Sequence, residues 1–127
     1  MTRLPALLLA AAVLAAPAFA DARPEGMQRL SGAWTVDLSS EPGQPYTKPM
    51  HLALNADGTV TGDFYESEIQ AGRWKTDRGR TCVSFRTTDG AGPYHTAACL
   101  KGRSVQGQTW AEHRNFLFNW NAVRARP

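Results

Sequence analysis

From residue 32 onward, apolar and polar residues alternate in short runs, and each run ends in turn-forming residues. "VSFRTT" and "TVTGDF" place every second side chain on one face, which is the period of a half-buried strand rather than of a helix. The runs predict strands at 32–38, 48–55, 59–65, 68–76, 80–88, 93–101, 104–112 and 115–125. Tight turns join most of them, and the one long connection is "SSEPGQPYT" (39–47). Regularly spaced short strands of this kind predict an all-β fold, an eight-stranded antiparallel up-and-down β-barrel.

The turns also set a register. "NADG" (55–58) and "TDRG" (76–79) each end in a glycine suited to a three-residue hairpin loop. The first pairs Leu54 with Val60, Leu52 with Gly62 and Met50 with Phe64. The second pairs Ala71 with Phe85, Arg73 with Val83 and Trp74 with Cys82. A two-residue loop at Gly90-Ala91 sets Cys82 opposite Cys99 in a non-hydrogen-bonded pair, where the Cα separation of about 4.5 Å is within reach of a bridge. Pro93 then falls where its missing N–H costs no bond to Thr88. Two-residue loops at 102–103 and 113–114 pair Leu100 with Val105, Thr109 with Phe118 and Gly107 with Trp120.

One face thereby collects Trp34, Val36, Leu38, Leu52, Leu54, Val60, Phe64, Ile69, Ala71, Val83, Phe85, Thr87, Tyr94, Thr96, Ala98, Val105, Thr109, Phe116, Phe118 and Trp120. Arg73 is its one charged member. The opposite face holds His51, Gln70, Trp74, Ser84, Arg86, His95, Gln106, Gln108, Trp110, Asn119 and Asn121. A sheet with one apolar face must bury it, and closure into a barrel does so.

The N-terminus changes the picture in one respect. "MTRLPALLLAAAVLAAPAFA" has a basic start, a short apolar run and an A-x-A-like end, which reads as a secretory signal peptide cleaved after Ala20. The style of this leader points to a bacterial periplasmic or secreted protein. Residues 21–30 read as a flexible N-terminal arm, and 31–127 as the barrel domain. With Arg3 removed from 14 Lys and Arg, 13 basic residues face 11 acidic ones. These charges are interspersed, so neither a nucleic-acid face nor, for want of a second long apolar run, a membrane span is expected.

An oxidising compartment favours a structural disulfide between Cys82 and Cys99. His95 shares their face but lies about 13 Å from Cys99 along an extended strand, too far to share a metal. No C-x-x-C pair, nucleophile elbow or H-E-x-x-H motif is present. Glu112, His113 and Arg114 read as a polar turn at the barrel mouth. No metal, cofactor or catalytic set is expected, and the chain does not read as an enzyme. The inward face offers instead a cavity lining of Phe64, Phe85, Thr87, Tyr94, Thr109, Phe118 and Trp120. Tyr46 of the long loop closes over it, and the small side of Gly62 and Gly107 leaves room. The expected partner is a small, largely hydrophobic molecule. Outer-face Trp74, Trp110 and Leu117 would serve a homo-oligomer.

"GAWTVDL" contains Gly32 and Trp34 in the spacing of the G-x-W motif that opens the first strand of lipocalins and other calycin-type barrels. In those families an arginine near the end of the last strand packs over the tryptophan, and "NWNAVRAR" supplies Arg124. "GAWTVDLSS", "GTVTGDFY" and "WNAVRA" resemble the first strand, second hairpin and final strand of avidins. The resemblance implies a ligand-holding barrel open at one end, with Trp34 and Arg124 plugging the other. The biotin-binding residue set is not matched: Val36 stands where avidins carry an asparagine, and Phe64 where they carry a tyrosine, which implies a more apolar ligand. The alternative is a protein-binding module, such as a periplasmic protease inhibitor, acting through residues 21–30 and the barrel rim.

Overall fold

A computed structural model describes residues 2–6, 10–12 and 22–127. The expected cleavage site after Ala20 lies outside them. A helix α1 (Ala22–Leu30) precedes nine strands: β1 (Gly32–Asp37), β2 (Thr47–Leu54), β3 (Thr59–Phe64), β4 (Ser67–Glu68), β5 (Gln70–Asp77), β6 (Arg80–Thr88), β7 (Pro93–Lys101), β8 (Ser104–Ala111) and β9 (Phe116–Arg124). Consecutive strands pair antiparallel, except that β4 and β5 both pair with β3, and β9 returns to β1 with Trp34 opposite Arg124. Since β4 and β5 are one stave broken at Ile69, the result is a closed eight-stranded antiparallel barrel. Alternation explains the closure: along β6 the odd residues Thr81, Val83, Phe85 and Thr87 are buried, and their even neighbours are not.

Most of the register follows the turns. Met50, Leu52 and Leu54 face Phe64, Gly62 and Val60. Cys82 lies opposite Cys99, and the two form a disulfide with a Cα separation of 4.0 Å. Gly107 faces Trp120, and Thr109 faces Phe118.

One hairpin departs from expectation. Asp77 pairs with Arg80 across a two-residue turn, with Arg78 at φ 51° and Gly79 at φ 75°. Two successive left-handed residues make the tight turn whose twist matches the strands, and it displaces the three-residue loop. The ladder therefore slips by one: Trp74 faces Val83 and Arg73 faces Ser84. Trp74 is buried at 8 % exposure, with its indole N–H donated to the Asn55 carbonyl at 2.7 Å, whereas Arg73 is exposed. A bulge between Gln70 and Arg73, with Ala71 exposed at φ 52°, restores the original register at Gln70–Arg86. The slip removes the one charge assigned to the interior and takes Trp74 off the outer face.

Residues 22–30, read from sequence as a flexible arm, form α1 and pack under the barrel. Leu30 is fully buried, Met27 packs on the core, and Gly26 lies against Thr76 and Thr81, where a Cβ would sit 2.5 Å from the Thr81 hydroxyl. The "G-x-W" residues meet this helix. The Arg124 guanidinium stacks 4.0 Å from the Trp34 ring centroid and donates to the carbonyls of Ser31 (2.7 Å) and Arg29 (2.6 Å). The Trp34 indole donates to the Leu30 carbonyl at 2.9 Å. Gly32, at φ 120°, admits the arginine, since a Cβ there would lie 2.5 Å from Nη1. The end of the barrel under Trp34 is thus closed by a helix, a ring and a guanidinium.

Candidate functional site: a polar-rimmed cavity in the barrel mouth

At the opposite end, four connections converge: the long β1–β2 loop, the β3–β4 turn, the β6–β7 loop and a 3-10 turn (Glu112–Arg114) before β9. They surround a cavity of about 260 Å³ lined by Leu38, Tyr46, Phe64, Tyr65, Ser67, Thr87, Asp89, Tyr94, Thr109, Arg114 and Phe118. Six of the eight residues assigned to a ligand lining from sequence therefore meet here: Tyr46, Phe64, Thr87, Tyr94, Thr109 and Phe118. Phe85 and Trp120 do not border it. Phe64 packs on both, at centroid distances of 6.1 Å and 5.6 Å, and the two rings belong to the core.

The reasoning from glycine needs correction. A Cβ on Gly107 would lie 2.3 Å from the Trp120 ring, so Trp120 fills the space that Gly107 leaves. Gly62, at φ 135°, brings its backbone against the His51 carbonyl, which a Cβ would meet at 1.9 Å. Both glycines serve close approach rather than a void. The cavity arises instead because the layer above Phe85 and Trp120 is built from Thr87 and Thr109 rather than from larger apolar residues.

Polar groups in this layer differ in their partners. The Thr109 hydroxyl accepts the Trp120 indole N–H at 2.9 Å and pairs with the Thr96 hydroxyl at 2.9 Å. Thr87 is 3 % exposed and borders the cavity. At the rim, the Tyr94 hydroxyl donates to Asp89 at 2.6 Å, and the Ala91 N–H donates to the same carboxylate at 2.9 Å. These bonds, Tyr94 first, hold the Asp89 carboxyl below its ordinary range, while burial and the bond to Asp89 push the Tyr94 phenol up.

Tyr65 and Glu66 occupy the β3–β4 turn at φ 56° and 63°, a conformation that costs a bulky residue energy and persists only when surroundings enforce it. The Tyr65 ring is enforced by its neighbours: its hydroxyl is bonded to that of Tyr46, the rings meet edge-on at 6.2 Å, and the Lys48 ammonium sits 4.9 Å from its centroid. The Tyr46 bond is the main cause that pushes the Tyr65 phenol up to about 12. Tyr46 itself stays 43 % exposed at the mouth.

Sequence reasoning missed Tyr65, Ser67, Asp89 and Arg114 as lining. Tyr65 follows inward Phe64, and the left-handed turn there brings its side chain to the cavity as well. Asp89 and Arg114 were legible only as members of loops sharing one end. Arg114 reaches the cavity, 6.0 Å from the Phe118 ring centroid, whereas His113 packs edge-on to Tyr94 at 5.0 Å. Phe116, placed inward by parity, is 43 % exposed at the rim and packs on Phe118. His51 and His95 stand on the outer wall beside Asp63 (2.8 Å) and Glu112 (3.7 Å). Among the described residues no group of three His, Cys, Asp or Glu is placed to hold a metal ion. Comparison with protein-family models, with curated proteins and with solved structures found no match for this chain.

Proposed function

We propose that this protein is a binding protein that holds a small, largely hydrophobic molecule in the mouth of its barrel. The observation that carries the reading is the cavity itself: a concave space walled by Leu38, Phe64 and Phe118, with a few hydroxyls to orient a guest. The closed meander and the Trp34–Arg124 stack support the likeness to lipocalins and avidins. The disulfide supports an oxidising compartment, hence a periplasmic or secreted location. A protein-binding role for the N-terminal arm is disfavoured by the docking of α1 (Ala22–Leu30) beneath the barrel.

Naphthalene, an uncharged probe of suitable size, tests the reading. It should saturate the disulfide-bonded protein in a fluorescence titration, and Leu38→Trp should block it by filling the cavity. Absence of saturable binding, or binding indifferent to Leu38→Trp, would count against the proposal.

Self-association belongs to the same reading, on a particular wall. The outward positions of β7, β8, β9 and β1 between their rims carry amides, His95, Ala97, Cys99, Thr35, Trp110 (38 % exposed), Leu117 (48 %) and Val123 (60 %). The charges of these four strands, Asp37, Lys101 and Arg124, lie at their ends, whereas Arg73, Lys75 and Arg86 stand within β5 and β6. A charge-depleted wall containing an exposed Trp110–Leu117 pair fits a second copy of the chain. Trp74, being buried, has no part in it.

A further inference from the structure

The cavity at the mouth is not uniformly apolar, and two of its polar groups define what fits. Arg114 presents a guanidinium to the cavity, and no carboxylate among the described residues lies within 4.0 Å of it. The one acid in the lining, Asp89, already accepts from Tyr94 and from the Ala91 N–H. Arg114 lies within hydrogen-bonding reach of the Tyr94 hydroxyl and beside the Phe118 ring, with no carboxylate among the described residues in direct contact. The second group is the Thr87 hydroxyl, on a residue 3 % exposed that borders the cavity. A hydroxyl on a cavity wall can donate to or accept from a ligand placed there.

Shape narrows the class further. Five of the eleven lining residues are aromatic, which favours a flat ring that can meet their edges and faces. The volume, about 260 Å³, is below that of sites for drug-sized molecules and excludes long-chain lipids in folded form. Resting on the small-molecule reading above, we infer that the ligand is a small aromatic monocarboxylate, its ring held by Phe64 and Phe118, its carboxylate on Arg114 and a ring substituent on Thr87. Arginine suits this role because its planar fork binds both carboxylate oxygens at once.

Three probes test this: cinnamate, its neutral isostere cinnamamide, and naphthalene. Cinnamate should bind roughly tenfold to a hundredfold more tightly than cinnamamide, the range expected of a hydrogen bond to a charged group. Arg114→Gln should abolish the preference for the acid while naphthalene binding persists, and Arg114→Lys should retain part of it. Thr87→Val should remove any advantage of 4-hydroxycinnamate over cinnamate. Arg86→Gln, on the outer wall, should change nothing. Equal affinity for acid and amide, or an acid preference that survives Arg114→Gln, would overturn this inference while leaving the small-molecule reading in place. Failure of all three probes to bind the folded, disulfide-bonded protein would overturn both.

Discussion

Gly107 and Trp120 show how one residue's absence of a side chain can define another's position. The indole occupies the space a Cβ would need, and it cannot yield, being bonded to Thr109 and packed on Phe64. Gly107→Ala should cost about 1–3 kcal/mol in urea unfolding, the range for overpacking a filled core. Tyr65 offers a prediction in pH. Its raised pKa means the folded state holds the phenolic proton more tightly than the unfolded chain does. That contribution to stability is complete below about pH 10 and is lost as pH rises through about 12. Absorbance titration at the phenolate band should show Tyr65 titrating late, and Tyr46→Phe should bring it back toward 10. At this scale the sequence was legible wherever parity alone decided, as for Thr87, Tyr94 and Phe118. It was not legible where a left-handed turn brings the next side chain to the cavity as well, as at Tyr65, or where Phe116 reaches the rim.

Hairpins account for most of what could be read at the level of elements. A proline tolerated at one position and two cysteines facing at another fixed β6 against β7, and the pairing of Cys82 with Cys99 follows. Replacing both cysteines with alanine should cost about 3 kcal/mol, from the unfolded-chain entropy released by opening this loop. The β5–β6 hairpin misled because "DRG" suits either a three-residue loop or a two-residue turn with Arg78 left-handed, and only packing decides. The slip inserts Trp74 into the core and sends Arg73 to solvent, an exchange that favours the shorter turn. Helix α1 was illegible for another reason. Its sequence, "ARPEGMQRL", has apolar residues only at Ala22, Met27 and Leu30, so its order comes from docking on Thr76, Thr81 and the Trp34–Arg124 stack rather than from local pattern. Arg124→Met should therefore raise amide exchange across 25–31 well before it affects β6 and β7.

For the whole molecule, the division into a plugged end and an open end is the organising feature. Large side chains fill the layers from Trp34 up to Phe85 and Trp120, and α1 seals the base. Above Phe85 and Trp120 the lining shrinks to threonines and the loops carry tyrosines, Asp89 and Arg114. Barrel closure was legible because alternation persists through consecutive hairpins. The cavity's existence was not, since parity reports direction and says nothing of volume. Its true origin, threonine in place of larger residues at 87 and 109, differs from the glycine argument that anticipated it. The central claim is that this space holds a small molecule in the native protein. Mass spectrometry under non-denaturing conditions, on protein taken from its own compartment with the disulfide intact, addresses that directly. A bound species of low mass, released on acid denaturation and missing from Leu38→Trp, is the predicted result. An unliganded mass throughout, with no uptake from a broad panel of small aromatic and aliphatic compounds, would contradict it.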